Sequence, residues 1–123
     1  MIRPILLAAG VAFATTSLIA QPASARTNYD GNWSVLIVTQ RGPCDSAYRY
    51  GLSIQNGSVI YEGSAAVNVA GRVSPNGAVS VRVWAGSQGA SGSGRLSRNS
   101  GSGSWRGIGS MGTCSGTWSA DRR

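Results

Sequence analysis

The sequence predicts an all-β protein, an eight-stranded antiparallel up-and-down meander that closes into a small barrel with one disulfide. Three observations carry this expectation. From residue 31 almost to the C-terminus, apolar and polar residues alternate with period two, as in strands that have one covered face. Short turn signals, among them Asn56-Gly57 and Ser74-Pro75-Asn76-Gly77, interrupt the alternation and leave room only for hairpin connections. The only two cysteines, Cys44 and Cys114, fall just past the first strand and at the opening of the last, so a bridge between them ties the start of the fold to its end.

Ahead of the strands lies a segment with another purpose. Arg3 gives a positive start, residues 5–20 (ILLAAGVAFATTSLIA) are uncharged and mostly apolar, and Ala23-Ser24-Ala25 is an A-x-A cleavage pattern. Residues 1–25 are therefore expected to be a Sec-type signal peptide, cleaved after Ala25. That leaves residues 26–123 as a single β-barrel domain, periplasmic or secreted, with no transmembrane segment. A domain this small has a thin core and gains from a covalent staple. In an exported chain an even cysteine count reads as a disulfide. Closing a loop of about 70 residues stabilises the fold by about 4 kcal/mol in the chain-entropy account.

The strands follow in order. Residues 31–40 (GNWSVLIVTQ) are apolar on both faces, as in a well-covered strand. Tyr48, Tyr50, Leu52 and Ile54 then alternate with Arg49, Gly51, Ser53 and Gln55 up to Asn56-Gly57, whose two positions suit a type I′ hairpin. Pairing Gln55 with Ser58 sets Ile54 opposite Val59 and Leu52 opposite Tyr61, so the apolar faces coincide. The next hairpin repeats the pattern, with Val67, Val69, Gly71 and Val73 going out and Val79, Val81 and Val83 returning. Its wording, GRVSPNGAVSVRV over 71–83, is echoed with one inserted residue by GRLSRNSGSGSWRG over 94–107. That glycine- and serine-rich stretch is thus expected to be a hairpin, not a linker. Ala90, Gly92, Gly94, Leu96, Gly103, Trp105 and Gly107 should face inward, and Ser91, Ser93, Arg95, Ser102, Ser104 and Arg106 outward. Residues 114–121 (CSGTWSAD) supply the last strand, with Cys114, Gly116, Trp118 and Ala120 on one face. An open sandwich would need long crossovers, and the spacing has none. Closure sets the last strand beside the first, where Cys44 and Cys114 meet.

Gly31-Asn32-Trp33 on the first strand, with arginines ending the last, resembles the G-x-W opening of lipocalin- and avidin-like barrels. That resemblance implies a Trp33 that packs across one barrel end against Arg122 or Arg123. Gly116-Thr117-Trp118 repeats the three-residue pattern, and the rest of the chain matches neither family's binding residues. Residues 29–123 as a whole resemble small exported alphaproteobacterial proteins of the rhizobial type, some of them labelled haem-utilisation or adhesion exoproteins. The resemblance implies compartment and fold and supplies no activity.

The composition argues against several function classes. There is no His, and all eleven basic residues are arginine. The four carboxylates, Asp30, Asp45, Glu62 and Asp121, are scattered along the chain. With both cysteines bridged, no nucleophile–base pair and no carboxylate pair is in view, so the chain is not expected to be an enzyme. No metal or cofactor is expected for the same want of ligands; a haem iron would fall to a tyrosine. The net charge of +7 points to anionic contacts. For an exported chain these are an envelope glycan or lipid, or an acidic protein, and nucleic acid is not expected.

Two residue sets are candidates for binding. Arg49, Arg72, Arg82, Arg95 and Arg106 all fall on the expected outer face, and Trp84 joins them unless the register slips at its strand end. An exposed Trp beside Arg is typical of contact surfaces, although a solvated basic face would look much the same. Trp33, Tyr48, Tyr50, Trp105 and Trp118 fall on the inner face opposite glycines. They are candidates for an aromatic pocket at one barrel mouth, set against simple core filling. Core filling is favoured, because the chain has no Phe beyond residue 25 and these rings must supply much of the core volume. The leading expectation is a non-enzymatic binding protein acting through its arginine-rich outer face. A small-ligand carrier is the alternative, and an enzyme inhibitor or a haem- or adhesion-related exoprotein comes third.

Overall fold

Eight strands run in sequence order around a closed antiparallel barrel: β1 (Gly31–Arg41), β2 (Ala47–Gln55), β3 (Ser58–Tyr61), β4 (Asn68–Val73), β5 (Ala78–Ala85), β6 (Gln88–Leu96), β7 (Ser100–Gly109) and β8 (Gly112–Arg122). This is a computed structural model that describes residues 27–123 together with Gly10 and Ala12. The expected signal segment and its cleavage site after Ala25 lie outside the described residues but for those two positions. Closure pairs every strand on both sides, which removes the exposed edges that an open sheet this size would carry.

The register is the one that alternation dictates. Gln55 pairs with Ser58, Ile54 with Val59 and Leu52 with Tyr61. Asn56 and Gly57 hold φ of 51° and 79°, the two positive values that a type I′ turn needs. The echoed hairpins occupy equivalent places: Val73 and Leu96, each third in its Gly-Arg-aliphatic run, are buried at the ends of β4 and β6. The glycine-rich stretch forms the end of β6, the turn and most of β7, and β7 pairs with both neighbours along its length.

β1 closes the barrel against β8, with Trp33 opposite Arg122 and Ile37 opposite Trp118, up to a bulge between Thr39 and Arg41. Beyond the bulge the chain turns over the end of β8, and Cys44 and Cys114 form a disulfide with Cα atoms 6.1 Å apart.

The strand directions define two ends. The turns 56–57, 74–77 and 97–99, with residues 27–30 and the C-terminus, gather at what we call the base. The connections 42–46, 62–67, 86–87 and 110–111 gather at the mouth. The buried core lies towards the base and comprises Trp33, Val35, Ile54, Val59, Val73, Leu96, Trp118 and Ala120.

Candidate functional site

The base is sealed. Tyr29, in the turn before β1, packs against the core, and the Trp33 indole donates to its carbonyl at 2.8 Å. The Arg122 guanidinium stacks 4.7 Å from the Trp33 ring centroid and donates to the carbonyls of Asp30 (2.7 Å), Asn28 (2.7 Å) and Arg98 (3.0 Å). Trp33, only 1% exposed, is the residue this cluster covers. Asp30 holds the neighbouring turn, its carboxylate accepting from the amides of Asn56 (2.8 Å) and Gly57 (3.2 Å) and from Thr27 Oγ1 (2.7 Å). Desolvation pushes this carboxyl up, but the hydrogen bonds outweigh it and hold it below the ordinary carboxylate value. Outside the barrel, Arg123 reaches Glu62 in an ion pair of 2.7 Å, with Gly51 beneath its guanidinium.

Above this seal the inward glycines show their use. The Trp118 ring lies flat across β7 and donates to the Ser93 carbonyl of β6 at 3.0 Å. A Cβ at Gly103 would stand 2.6 Å from Cε2 of that ring, so any larger residue would lift the indole from its seat. Trp105 does the same one layer higher. It crosses Gly116 of β8 and donates to the Val38 carbonyl of β1 at 3.1 Å, beside the bulge. Both indoles satisfy their N–H on strand carbonyls and bring no unpaired polar group into the interior.

Trp118 and Trp33 therefore floor the barrel, and towards the mouth the side chains no longer meet. A cavity of about 300 Å³ remains, and its lining reaches Ala85, Gln88 and Gly109 beside the mouth connections. Trp105, Tyr48, Tyr50 and Tyr61 wall one part of it, Val69, Val81, Val83 and Ala90 another, and core residues such as Trp33, Ile54 and Trp118 lie beneath. No Asp, Glu or Arg lines it among the described residues; the tyrosine hydroxyls and the Gln88 amide are its polar groups. Tyr50 stands between Tyr48 and Tyr61, 6.1 Å from each ring centroid, stacked on the first and edge-on to the second. Burial pushes the Tyr48 phenol up, with the Asp45 carboxylate adding to it, and burial pushes up Tyr50, with Tyr61 adding. Both rings stay neutral donors at ordinary pH.

The five inner aromatic candidates thus divide between two jobs. All five line the cavity, but Trp33 and Trp118 are buried core at its floor, whereas Trp105 and Tyr50 are only half-buried and Tyr48 is 37% exposed. Core filling and a pocket coexist, stacked along one axis. Period-two alternation could not show this, because it tells inside from outside and not depth.

The outer candidates fall into separate rows. Arg49 and Arg95 lie at opposite ends of one ladder row, through Leu36, Ser119 and Ser102, and bond Ser34 Oγ (3.0 Å) and the Asn76 carbonyl (3.2 Å). Arg72 sits between Ser58 and Ser80. Arg82 and Arg106 flank Ser91 in a row nearer the mouth, which continues through Ser115 to Arg41. Trp84 does point outward, 38% exposed, with Arg82 5.6 Å from its ring centroid. Sequence reasoning missed Tyr29 and Asp30 in the seal, and Ile108 and Met111 as exposed neighbours of the mouth. Ile108, in register with outward-facing Arg106, was the readable signal.

Fold and cavity together define a class: an up-and-down antiparallel barrel sealed at one end, with an apolar chamber at the other. No protein-family model matches the chain, and neither the curated proteins nor the solved structures yield a match.

Proposed function

We propose that this protein is a non-enzymatic carrier that holds a small, uncharged, largely apolar molecule in the mouth of its barrel. One observation carries the reading: a cavity of about 300 Å³ with an aromatic and aliphatic wall and no charged lining residue among those described. Such a volume falls at the small end of ordinary ligand sites. An ionised ligand would lose its hydration there without gaining a counter-charge. Tyr48, Tyr50 and Gln88 are placed to bond one polar end of the guest where it meets water. The Cys44–Cys114 disulfide supports an oxidising, exported setting.

The test is a titration with the neutral apolar fluorophore N-phenyl-1-naphthylamine, followed by its emission and by energy transfer from tryptophan. Saturable binding that Ala90→Phe abolishes, by placing a ring in the chamber, supports the carrier. Binding that Ala90→Phe leaves unchanged, or no binding at all, overturns it.

The stacking of Arg82 on exposed Trp84 favours a second reading, contact with an anionic envelope component through the outer face. Contact spread over the whole face would weaken with salt and on changing Arg72, Arg82 and Arg95 to Ser. The two readings are compatible, since they use opposite faces of the same strands.

A further inference from the structure

The outer surface around the mouth is not uniform. On the β5–β8 side, Trp84, Gly89, Ile108 and Thr113 are successive partners across one ladder row. Trp84 is 38% exposed, Ile108 59%, and Met111, in the turn beyond, 81%. These are large apolar side chains at one rim of one end, and Trp84 and Ile108 also border the cavity. Two residues back along the same strands, about 7 Å away, lies the row of Arg82, Ser91, Arg106, Ser115 and Arg41. Its arginines stand about 10 Å apart, two strand spacings, and only serines separate them.

Carboxylates are elsewhere. Asp30 helps to seal the base, Asp121 pairs with Ser34 and Ser100 near it, and Glu62 is held by Arg123. Asp45 is at the mouth but in the connection before β2, beside Tyr48.

We propose that the protein docks mouth-first on an anionic lipid bilayer surface. Trp84, Ile108 and Met111 enter the headgroup boundary, and Arg82 and Arg106, with Arg41 continuing their row, meet the lipid phosphates. The geometry fits a lipid surface better than a folded acidic partner. The apolar side chains form a leading edge, with a basic row set back by about the 5–10 Å to which interfacial apolar groups penetrate. Trp favours that boundary, and arginine stems span apolar depth while their heads bond phosphate. This inference rests on the outer-face reading, narrowed to one rim and one partner. It also turns the cavity opening towards the lipid, the phase from which an apolar guest would come.

The experiment uses the chain with its disulfide intact, mixed with vesicles of phosphatidylcholine alone or phosphatidylcholine with phosphatidylglycerol. Binding is read by sedimentation, and insertion by quenching of tryptophan with brominated acyl chains. The expected result is binding to the anionic vesicles only, with quenching that Trp84→Phe removes, because Trp33, Trp105 and Trp118 lie inside the barrel. Joint replacement of Arg82 and Arg106 by Ser should weaken binding about 30-fold, at about one lipid-facing arginine's contribution each. The control replaces Arg98 and Arg123 by Ser, the same charge loss at the base, and should leave binding within about twofold.

Equal loss in both double variants would show that net charge alone binds, and would overturn the proposal. So would equal binding to neutral vesicles, no binding to either, or quenching that survives Trp84→Phe. Salt-sensitive binding to heparin in place of vesicles would overturn the lipid surface while leaving the outer-face reading standing. Binding to neither would remove both. Fluorophore binding without vesicles reads the carrier separately.

Discussion

The base and the mouth of this barrel are built from the same strands by opposite rules. At the base, the inward side chains are buried. Trp33 is covered by Tyr29 and Arg122, Trp118 lies on glycine backbone, and aliphatic residues from six strands surround them. At the mouth, Tyr48, Tyr50 and Trp105 ring an unfilled chamber, and the covalent link of Cys44 to Cys114 stands beside it. The difference teaches how stability is distributed in a domain with a thin core. The base supplies packing, and the mouth gives up packing for a cavity and relies on a crosslink.

This contrast can be broken in several ways. The largest effect should come from Trp33→Ala, which empties the best-covered position of the base and leaves Arg122 without its ring. We expect a loss of about 3–5 kcal/mol by chemical denaturation, with the same change at half-buried Trp105 costing less. If the two cost the same, the base is not where the stability lies. Reducing the disulfide, or replacing both cysteines by Ser, should cost about 4 kcal/mol through the loop of 70 residues that it closes.

Gly103→Ala should cost about 1–3 kcal/mol, because the added methyl meets the Trp118 ring and the Ser93 carbonyl. Its near-UV circular dichroism should report a displaced indole. Tyr50→Ala sharpens the contrast from the other side. It enlarges a chamber that is already open, so stability should fall by only about 1 kcal/mol while N-phenyl-1-naphthylamine binding drops.

The smallest effects are in pH, and the two ends set opposite limits. Asp30 is held below the ordinary carboxylate value, so its contribution is complete above that value. It is lost as pH falls through the lower folded one. Tyr48 and Tyr50 are raised, so their contribution is complete below the ordinary phenol value and lost as pH rises through the folded one. Asp30→Asn should flatten the acid side of a stability–pH curve, and Tyr48→Phe with Tyr50→Phe the alkaline side. A variant that moves the wrong limb contradicts the assignment of the two ends.

Much of the fold was legible in the residues alone. The Asn56-Gly57 register and the echo of residues 71–83 in 94–107 follow from local signals, and the meeting of Cys44 with Cys114 follows from closure of the meander. Alternation sets which side chains face in, and turn residues set where each strand ends. The inner and outer candidates fell on the faces expected of them for the same reason. The base seal was less legible. Arg122 bonds residues more than ninety positions away, and its partners are backbone carbonyls, which leave no mark in the sequence. The rim was missed because Trp84 and Ile108 join one row only once the registers of two strand pairs are chained together.

By itself, then, the sequence determined strand number, order, facing and crosslink, since these depend on neighbours one or two residues apart and on hairpins that pair adjacent segments. Only the tertiary structure decided depth: which rings floor the barrel, which face an open chamber, and which arginines share a row. Depth arises from the stagger accumulated around the closed sheet, a sum over all eight registers that no single stretch of residues contains.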